Sequence, residues 1–435
     1  MREVNWNNVK REAPKWFRDA KFGLFFHWGP YSVPAYQNEW YSRNMYCKGL
    51  EQNQYHEKTY GSLHDFGYKD FYDMLKGEKF DPDQWASLVK RSGAKYAGAV
   101  SEHADNFSMW DSAVNPINSM NYGPHRDIVG ECTEAFRKQG IRTVATFHHQ
   151  WLWGWFMSTD NEADVYIPEN EKYYGPALPL ETNRYIPYRY PDEAFCKIWR
   201  DKVLEVIDKY EPDEVYFDSR TFIIGEEYRY AAADYYYHTK GKTDGIITYK
   251  QEDFPEGIGV FDIECGRFEA PRPFPWQSDD RLEDNVTWSM VQNPKYKSAE
   301  CIIHQLCDIV SKNGNLLLNV GPYADGSFHP DAVKTLEKIG DWLALNGEAI
   351  YETRPYLIAA EGPTVVEDAD YDTQRIAEQL DKGAAADVRS NVLTGRDYRF
   401  TTRGETLYVI AMGWPEEGWF RIRTLRENGP CAKKV

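Results

Sequence analysis

The sequence predicts an α/β protein: a closed (β/α)8-type, TIM-like barrel followed by a small C-terminal antiparallel, β-sandwich-like domain. Between residues 15 and 350, short apolar runs alternate about seven or eight times with segments of helical periodicity. Such alternation is typical of a parallel sheet, and about eight repeats favour a closed barrel over an open sheet. Beyond residue 355 the periodicity changes to two. We therefore place the barrel at residues 1–355 and the β domain at residues 356–435.

The barrel strands are predicted from short runs that end at a polar residue. Residues 215–217 form the clearest run, because they are β-branched or aromatic and stop at Asp218. Taken alone, Asp218 is better explained as the cap of a following helix than as a functional residue. A first strand lies within residues 21–30 and ends at His27, and the other predicted strands cover residues 94–101, 142–147, 245–249, 257–263 and 315–320.

The helices between these strands carry start and stop signals. Asp81 and Pro82 predict a helix start, and Gly93 its end. Gly140 follows a second helix. The helical patterns cover residues 126–138, 196–210, 228–240, 299–312 and 330–346.

Three stretches interrupt the alternation. Residues 152–190 predict a loop rich in Tyr, Pro and Asn, and a loop of this length inside a domain is usually functional. Residues 277–298 give the least clear repeat, and the acidic, Ala-rich residues 366–390 predict a poorly ordered loop.

The β domain is predicted from two kinds of pattern. Residues 398–412 indicate two strands around an Arg-Gly-Glu turn, and residues 419–425 alternate with period two, which predicts another strand. The sequence then stops at a point where the pattern predicts that a further strand begins.

Composition and charge narrow the function. A net charge of -17 argues against nucleic acid or an anionic membrane as a partner, and no run of about 18 apolar residues predicts a membrane span. Aromatic residues make up 15% of the chain, enough to supply flat platforms for sugar rings as well as a core. These features favour a neutral small ligand, and they leave a homo-oligomer open.

Cysteines and the N-terminus add little. The seven cysteines are scattered and lack C-x-x-C spacing, so neither a disulfide framework nor a structural zinc site is predicted. The first residues lack the apolar segment of a signal peptide. Localisation stays open between the cytoplasm and a secreted or periplasmic protein whose signal has been removed.

Polar side chains follow the predicted strands, and in such a barrel the active site is built from these ends. They are His27, Glu102, His103, Asp105, His148 or His149, Asp218, Lys250 and Glu264. So many imidazoles and carboxylates on one rim suggest proton chemistry. A metal is the competing interpretation, but His148 and His149 are adjacent on a strand and point to opposite faces. We therefore predict no metal and no cofactor.

Two carboxylates with many aromatics fit glycoside hydrolysis. One carboxylate must stay ionised to attack or to activate water, and the other must stay protonated to assist the leaving group. Asp218 and Glu264 lie two repeats apart and can face each other across the barrel mouth. An acid–base isomerase or lyase would use similar residues.

Several segments of the chain resemble those of a known family. Residues 21–29, the segment 31–34 and Glu39-Trp40-Tyr41 are similar to the N-terminal signature of family 29 α-L-fucosidases. Similar segments lie around residues 80–81, 94–96, 126–127, 311–322, 346–351 and 398–414. The resemblance covers nearly the whole chain. It implies a retaining exo-hydrolase that removes terminal α-L-fucose from glycans by double displacement.

The resemblance also implies residue roles. Asp218, in Tyr216-Phe217-Asp218, matches the nucleophile. Positions that match the family's sugar contacts are His27, Glu39, Trp40, His103, His148 (favoured over His149), Trp151 and Tyr216. Glu264 matches the acid/base of a subgroup and ends a predicted strand, with Glu269 or Glu283 as alternatives.

Two departures from the family pattern bear on substrate choice. Ala104 stands where the family has a second histidine, and Cys265 where it has arginine. They motivate two alternatives: a fucose-binding protein without turnover, or an exo-hydrolase for a related sugar such as an α-galactoside or a sulfated fucoside.

Overall fold

The computed structural model describes residues 3–176, 178, 190–239, 244–250, 252–366 and 393–426. Within them, eight parallel strands close a barrel in which each strand pairs with the next and β8 pairs with β1, as predicted. The strands are β1 (Phe22–Phe26), β2 (Tyr96–Glu102), β3 (Arg142–Phe147), β4 (Glu214–Phe217), β5 (Ile246–Lys250), β6 (Val260–Asp262), β7 (Trp276–Arg281) and β8 (Gly314–Asn319).

Helices follow most of the strands and pack against their neighbours, such as α4 on α5 and on α10. Their apolar faces and the outward side chains of the strands form the main core. The helices are α1 (Lys15–Ala20), α2 (Tyr41–Asn44), α3 (Glu51–Thr59), α4 (Pro82–Ser92), α5 (Ile128–Lys138), α6 (Glu171–Tyr174), α7 (Glu193–Tyr210), α8 (Glu226–Asp234), α9 (Ala299–Ser311) and α10 (Pro330–Asn346).

Strand β7 explains the unclear repeat at residues 277–298. Its sequence Trp-Gln-Ser-Asp-Asp-Arg is buried throughout, although five of the six residues are polar. Inside the barrel, the Gln277 side chain donates to Glu214 (3.1 Å) and accepts from the hydroxyl of Tyr96 (2.8 Å). Hydrogen bonds thus replace the apolar contacts that a buried strand normally makes, and the expected hydrophobic pattern is missing.

Beyond the barrel lies a three-stranded antiparallel sheet in the order β11 (Thr406–Ala411), β10 (Tyr398–Arg403), β9 (Arg354–Glu361), which packs on α9. A buried ion pair joins the two parts: the Arg399 guanidinium donates to Asp308 (2.6 Å), which also accepts from Lys312 (2.7 Å). The domain boundary at residue 355 stays a prediction.

Residues 419–425 do not form the predicted strand. The backbone N–H groups of Arg423 and Thr424 donate to the Glu361 carboxylate (2.6 and 2.7 Å), so a side chain takes the place of a neighbouring strand. The predictions for residues 366–390 fall, apart from Val366, outside the described residues, as does the end of the chain.

Other differences are local. Strand β6 is shorter than the predicted run, and α8 ends in a π-helical turn at Tyr235–Thr239. The described part of the 152–190 loop contains the short helical turns Asp164–Tyr166, Pro168–Asn170 and α6. In the part of the chain that the structure describes, no helix combines the length and apolarity needed to cross a membrane.

Candidate active site

A cavity opens at the carboxyl ends of the barrel strands and encloses about 850 Å³, its mouth included. Most of the predicted site residues line it: His27, Glu39, Trp40, His103, His148, Trp151, Asp218 and Glu264. Lys250, which the sequence places at a strand end, also lines it, and so do residues that were not predicted as part of the site, among them Asn38, Trp155, Asp279, Arg281 and Trp288.

His27 follows β1 and is fixed by Asn319, the last residue of β8. The Asn319 carboxamide oxygen lies 2.7 Å from Nδ1 of His27 and accepts from its backbone N–H at 3.1 Å. Because a carboxamide oxygen only accepts, Nδ1 carries the proton and Nε2 keeps its lone pair. Burial lowers the pKa of His27 to about 4, so its ring is neutral near pH 7.

His103 and His148 follow β2 and β3, with ring centroids 5.0 Å apart and stacked. Burial lowers the pKa of both rings well below the usual value, so both are neutral near pH 7. His149 points the other way: its Nε2 meets the backbone oxygen of Trp199 at 3.2 Å. Of the two, His148 lines the cavity, and its role as a sugar contact stays a prediction.

Asp218 follows β4, and each of its carboxylate oxygens has a partner. Oδ1 lies 3.2 Å from Nζ of Lys250, and Oδ2 accepts from the indole N–H of Trp151 at 2.8 Å. Gln150 and Thr221 donate to the Asp218 backbone carbonyl (2.7 and 2.9 Å). These bonds aim one fixed carboxylate into the cavity.

Glu264 lies two residues beyond the end of β6 and is linked to Asp218 through Lys250. Its Oε2 accepts from Nζ of Lys250 at 2.7 Å. Burial raises the pKa of Glu264 to about 7; Lys250 acts in the opposite direction, and the neighbouring carboxylates Asp279 and Asp218 add to the rise. A carboxyl group with this pKa can both hold and release a proton near neutral pH.

Lys250, at the end of β5, is the hub of the site. Besides Asp218 and Glu264, it donates to Oδ2 of Asp279 at 3.1 Å. Burial acts to lower the pKa of Lys250, but Asp279 and Glu264 outweigh it and raise that pKa well above its usual value. The ammonium therefore stays charged. The sequence places Lys250 at a strand end. It does not show that three carboxyl groups from different strands surround it.

Tyr216 does not line the cavity. It lies one layer deeper in the barrel, where its hydroxyl donates to Oδ2 of Asp279 at 3.1 Å. Along β4, Tyr216 points into the barrel two residues before Asp218, so it contacts the floor beneath Lys250. Its assignment as a sugar contact stays a prediction that this placement disfavours.

Tryptophans wall the cavity. The Trp40 ring packs against Trp155 and Trp151, with centroids 4.9 and 5.7 Å apart. Arg43 donates to the backbone oxygen of Trp155 (2.6 Å), and the Trp155 indole donates to the Ser42 hydroxyl (2.9 Å). The two loops that carry these rings are thus tied together. Apolar ring faces of this kind suit the C–H faces of a sugar.

Glu39 closes the cavity on the side of Trp288, whose backbone N–H donates to Oε2 at 2.9 Å. Burial raises the pKa of Glu39 to about 7, although this hydrogen bond acts against the rise. Glu39 is therefore a second carboxyl group that titrates near neutral pH.

The two departures from the family pattern fall in different places. Ala104 lines the cavity and leaves its wall without a polar group at that position. Cys265 does not line it: its thiol lies 3.3 Å from Oδ1 of Asp280 and 3.2 Å from a guanidinium nitrogen of Arg281. Of the two, only Ala104 changes the surface that a ligand in the cavity would meet.

Carboxylates, imidazoles and indoles around a cavity at the top of a (β/α)8 barrel fit an enzyme of the glycoside hydrolase class. The family model described as alpha-L-fucosidase matches residues 2–348. The chain belongs to the α-L-fucosidase family, glycoside hydrolase family 29.

Individual relatives agree. The chain is 27% identical to a tissue α-L-fucosidase of Rattus norvegicus, over 97% of this chain and 81% of that protein. It is 30% identical to a putative α-L-fucosidase of Caenorhabditis elegans, over 81% of this chain and 70% of that one. The structure of Thermotoga maritima α-fucosidase in complex with fucose superposes with a TM-score of 0.71 at 26% identity, covering 96% of this chain and 87% of that chain.

Proposed function

We propose that this protein is a retaining exo-α-L-fucosidase that hydrolyses terminal α-L-fucose by double displacement, with Asp218 as nucleophile and Glu264 as acid/base. The observation that carries the proposal is the bridge from Asp218 through Lys250 to Glu264. Nζ of Lys250 is 3.2 Å from one carboxylate and 2.7 Å from the other.

The bridge limits the separation of the two carboxylates. Their nearest oxygens lie no more than about 5.9 Å apart, the sum of the two Lys250 contacts. Retaining glycosidases hold the two groups about 5–5.5 Å apart, whereas inverting enzymes need about 6.5–9.5 Å to admit a water. The bound supports the retaining mechanism.

In the first step, ionised Asp218 attacks the anomeric carbon while Glu264 gives its proton to the departing oxygen. Lys250 and Trp151 hold one Asp218 oxygen each before attack. The pKa of about 7 leaves a large share of Glu264 protonated in neutral solution. The C–O bond to the aglycone breaks, and an ester bond to Asp218 forms.

In the second step, Glu264 removes a proton from water, which displaces Asp218 from the fucosyl ester. The negative charge has by then moved from Asp218 to Glu264, and Lys250 contacts both groups. The ammonium of Lys250 thus faces the negative charge of Asp218 in the free enzyme and that of Glu264 in the fucosyl-enzyme, and it need not move between the two steps.

The charge of the cavity bears on the alternative sugars. Among the described lining residues, carboxylates (Glu39, Asp218, Glu264 and Asp279) outnumber cations (Lys250 and Arg281). Burial, however, raises the pKa of Glu39 and of Glu264 to about 7 and that of Asp279 well above its usual value, so these three carboxyl groups are partly or largely protonated near neutral pH. Their number therefore sets no large negative charge against a sulfated fucoside, and the parallel assay decides between the two sugars.

The test is Asp218→Gly with azide rescue. We expect the rate of hydrolysis of an aryl α-L-fucoside to fall by several orders of magnitude in this variant. Added azide should restore turnover, and NMR should identify the product as β-fucosyl azide. The wild-type enzyme should release α-L-fucose first. Initial release of β-L-fucose would refute retention, and an active Asp218→Gly variant without azide would refute the nucleophile.

The same assay separates the alternatives. A fucose-binding protein without turnover would bind L-fucose in calorimetry yet leave every aryl glycoside intact. Parallel aryl α-L-fucoside, α-galactoside and sulfated α-fucoside substrates test the sugar, and we expect the highest kcat/KM with the unsubstituted fucoside.

A further inference from the structure

We infer that His27, His103 and His148 form a binding site for one divalent transition-metal ion, with Zn²⁺ as the reference ion, and that the ion competes with the sugar for the cavity. The inhibitory part rests on the proposed function, whereas the binding part rests only on geometry. One ring nitrogen from each histidine lies within 4.8 Å of those of the other two.

The three rings come from the ends of β1, β2 and β3, and they face each other closely. The centroid of His27 lies 5.7 Å from that of His103 and 5.1 Å from that of His148. All three side chains are buried and line the cavity. The adjacency of His148 and His149 excludes those two as joint ligands, but it places no limit on histidines from separate strands.

The hydrogen bonds leave ring nitrogens available. Asn319 holds Nδ1 of His27, which orients Nε2 as a lone-pair donor, and such a partner on the other nitrogen is a usual feature of metal-binding histidines. Within the described residues, Nδ1 of His103 and Nδ1 of His148 are buried and have no hydrogen-bond partner. Their rings can therefore turn without breaking a bond at that atom.

The nitrogen spacing is close to what a small ion needs. Zn–N bonds of about 2.0–2.1 Å in a tetrahedral site place the nitrogens roughly 3.4 Å apart. Rotations of the unbonded rings that shorten the largest separation by about 1.4 Å would reach this value. The fourth position would open into the cavity, as in zinc sites that exchange a water or ligand.

Ligand type selects the ion. Imidazole nitrogen prefers Zn²⁺, Cu²⁺ or Ni²⁺, whereas Mg²⁺ and Ca²⁺ prefer oxygen. An ion held in the cavity would take the nitrogen lone pairs that face a sugar hydroxyl, so metal and fucose exclude each other.

The experiment measures metal binding without relying on turnover. Calorimetry with ZnCl2 and absorption spectra with CoCl2 on untagged protein should give one ion per chain and the visible bands of a four-coordinate Co²⁺ site. We expect His148→Phe to weaken binding at least tenfold. The control His64→Gln removes an exposed histidine that pairs with Asp65 and should bind as the wild type does.

Competition with L-fucose provides a second test that needs no variant. Excess fucose should weaken Zn²⁺ binding, and in the fucosidase assay Zn²⁺ should raise KM with little change in kcat, reversed by EDTA. Absence of a one-to-one Zn²⁺ or Co²⁺ complex, or a complex that neither His148→Phe nor fucose weakens, would overturn the site. Metal binding with no fucosidase activity would keep the site and refute only the proposed function.

Discussion

At the scale of single residues, Glu264 gives the sharpest prediction. Glu264→Gln removes the proton donor, so we expect kcat/KM for an alkyl fucoside to fall about 10²–10⁴-fold. An aryl fucoside with a good leaving group needs no protonation, so the first step should lose less rate. The second step still lacks its base, so the fucosyl-enzyme should accumulate and the aryl group should be released in a burst.

The pH profile follows from the same group. A carboxyl group with a pKa of about 7 is protonated below that pH, so wild-type kcat/KM should decline above about pH 7 for substrates that need the acid. The decline should be absent in Glu264→Gln. The control is Glu269→Gln, at the exposed alternative position. A large loss there, with Glu264→Gln active, would reassign the acid.

Lys250 gives a second prediction. Lys250→Met removes the cation that faces both carboxylates, and we expect kcat/KM to fall about 10²–10³-fold, as on loss of one preorganised charge. Because Lys250 lowers the pKa of Glu264, the alkaline decline should move to higher pH in this variant. Lys250→Arg keeps the charge and should recover part of the activity. An unchanged pH profile in Lys250→Met would contradict the coupling.

Site residues differ in how visible they are in the sequence. His27, His103 and Asp218 follow recognisable strands, so the barrel rule together with the family motifs finds them. Asp279 lies on the polar strand β7, which has no apolar pattern to locate it. Trp288 reaches the cavity from an irregular segment through a backbone bond to Glu39, and no periodicity predicts such a contact.

At the scale of elements, the contact between α10 and α4 depends on Gly340. A methyl group at this position would lie 1.7 Å from the backbone oxygen of Arg91. Since backbone cannot yield as a side chain does, Gly340→Ala should separate the helices and cost about 1–3 kcal/mol of unfolding free energy. Leu345→Ala, at an 84% exposed position on α10, is the control. Urea denaturation should show the difference, and equal stability of the two variants would contradict it.

Elements with strong local signals were predicted well, and those defined by tertiary partners were not. The helix α4 begins at the Asp81 cap and ends at Gly93 in a left-handed conformation, as the sequence indicates. The run at residues 419–425 has the alternation of a strand, but the Glu361 carboxylate occupies its backbone N–H groups. Periodicity shows which faces can be buried, whereas pairing depends on which partner is present.

At the scale of the whole molecule, buried ionisable groups predict how stability depends on pH. Burial raises the pKa of Glu214 to about 7 and those of Asp253 and Glu283 to about 8, and the two cavity carboxyls Glu39 and Glu264 titrate near 7. In the unfolded chain these groups ionise near pH 4. Between pH 6.5 and 8.5 the folded state therefore binds more protons than the unfolded state, and stability must fall as the pH rises.

Two opposing contributions define this window. The buried histidines, such as His27 with its pKa of about 4, make stability rise with pH, but mainly below about pH 6.5, the pKa of unfolded histidine. Burial also lowers the pKa of Lys21 to about 7, which favours the folded state at higher pH. One lysine does not outweigh five carboxyl groups, so the melting temperature should drop between pH 6.5 and 8.5.

Glu214→Gln isolates one contribution at the barrel floor. The amide can still accept from the Thr248 hydroxyl, as Glu214 does at 2.7 Å, but it has no proton to lose. Its melting temperature should therefore fall less steeply over this range than that of the wild type. The control Glu405→Gln removes one exposed charge and should keep the wild-type slope, which separates burial from the change in net charge. Calorimetric melting curves at matched ionic strength measure both, and parallel slopes for wild type and Glu214→Gln would contradict the assignment.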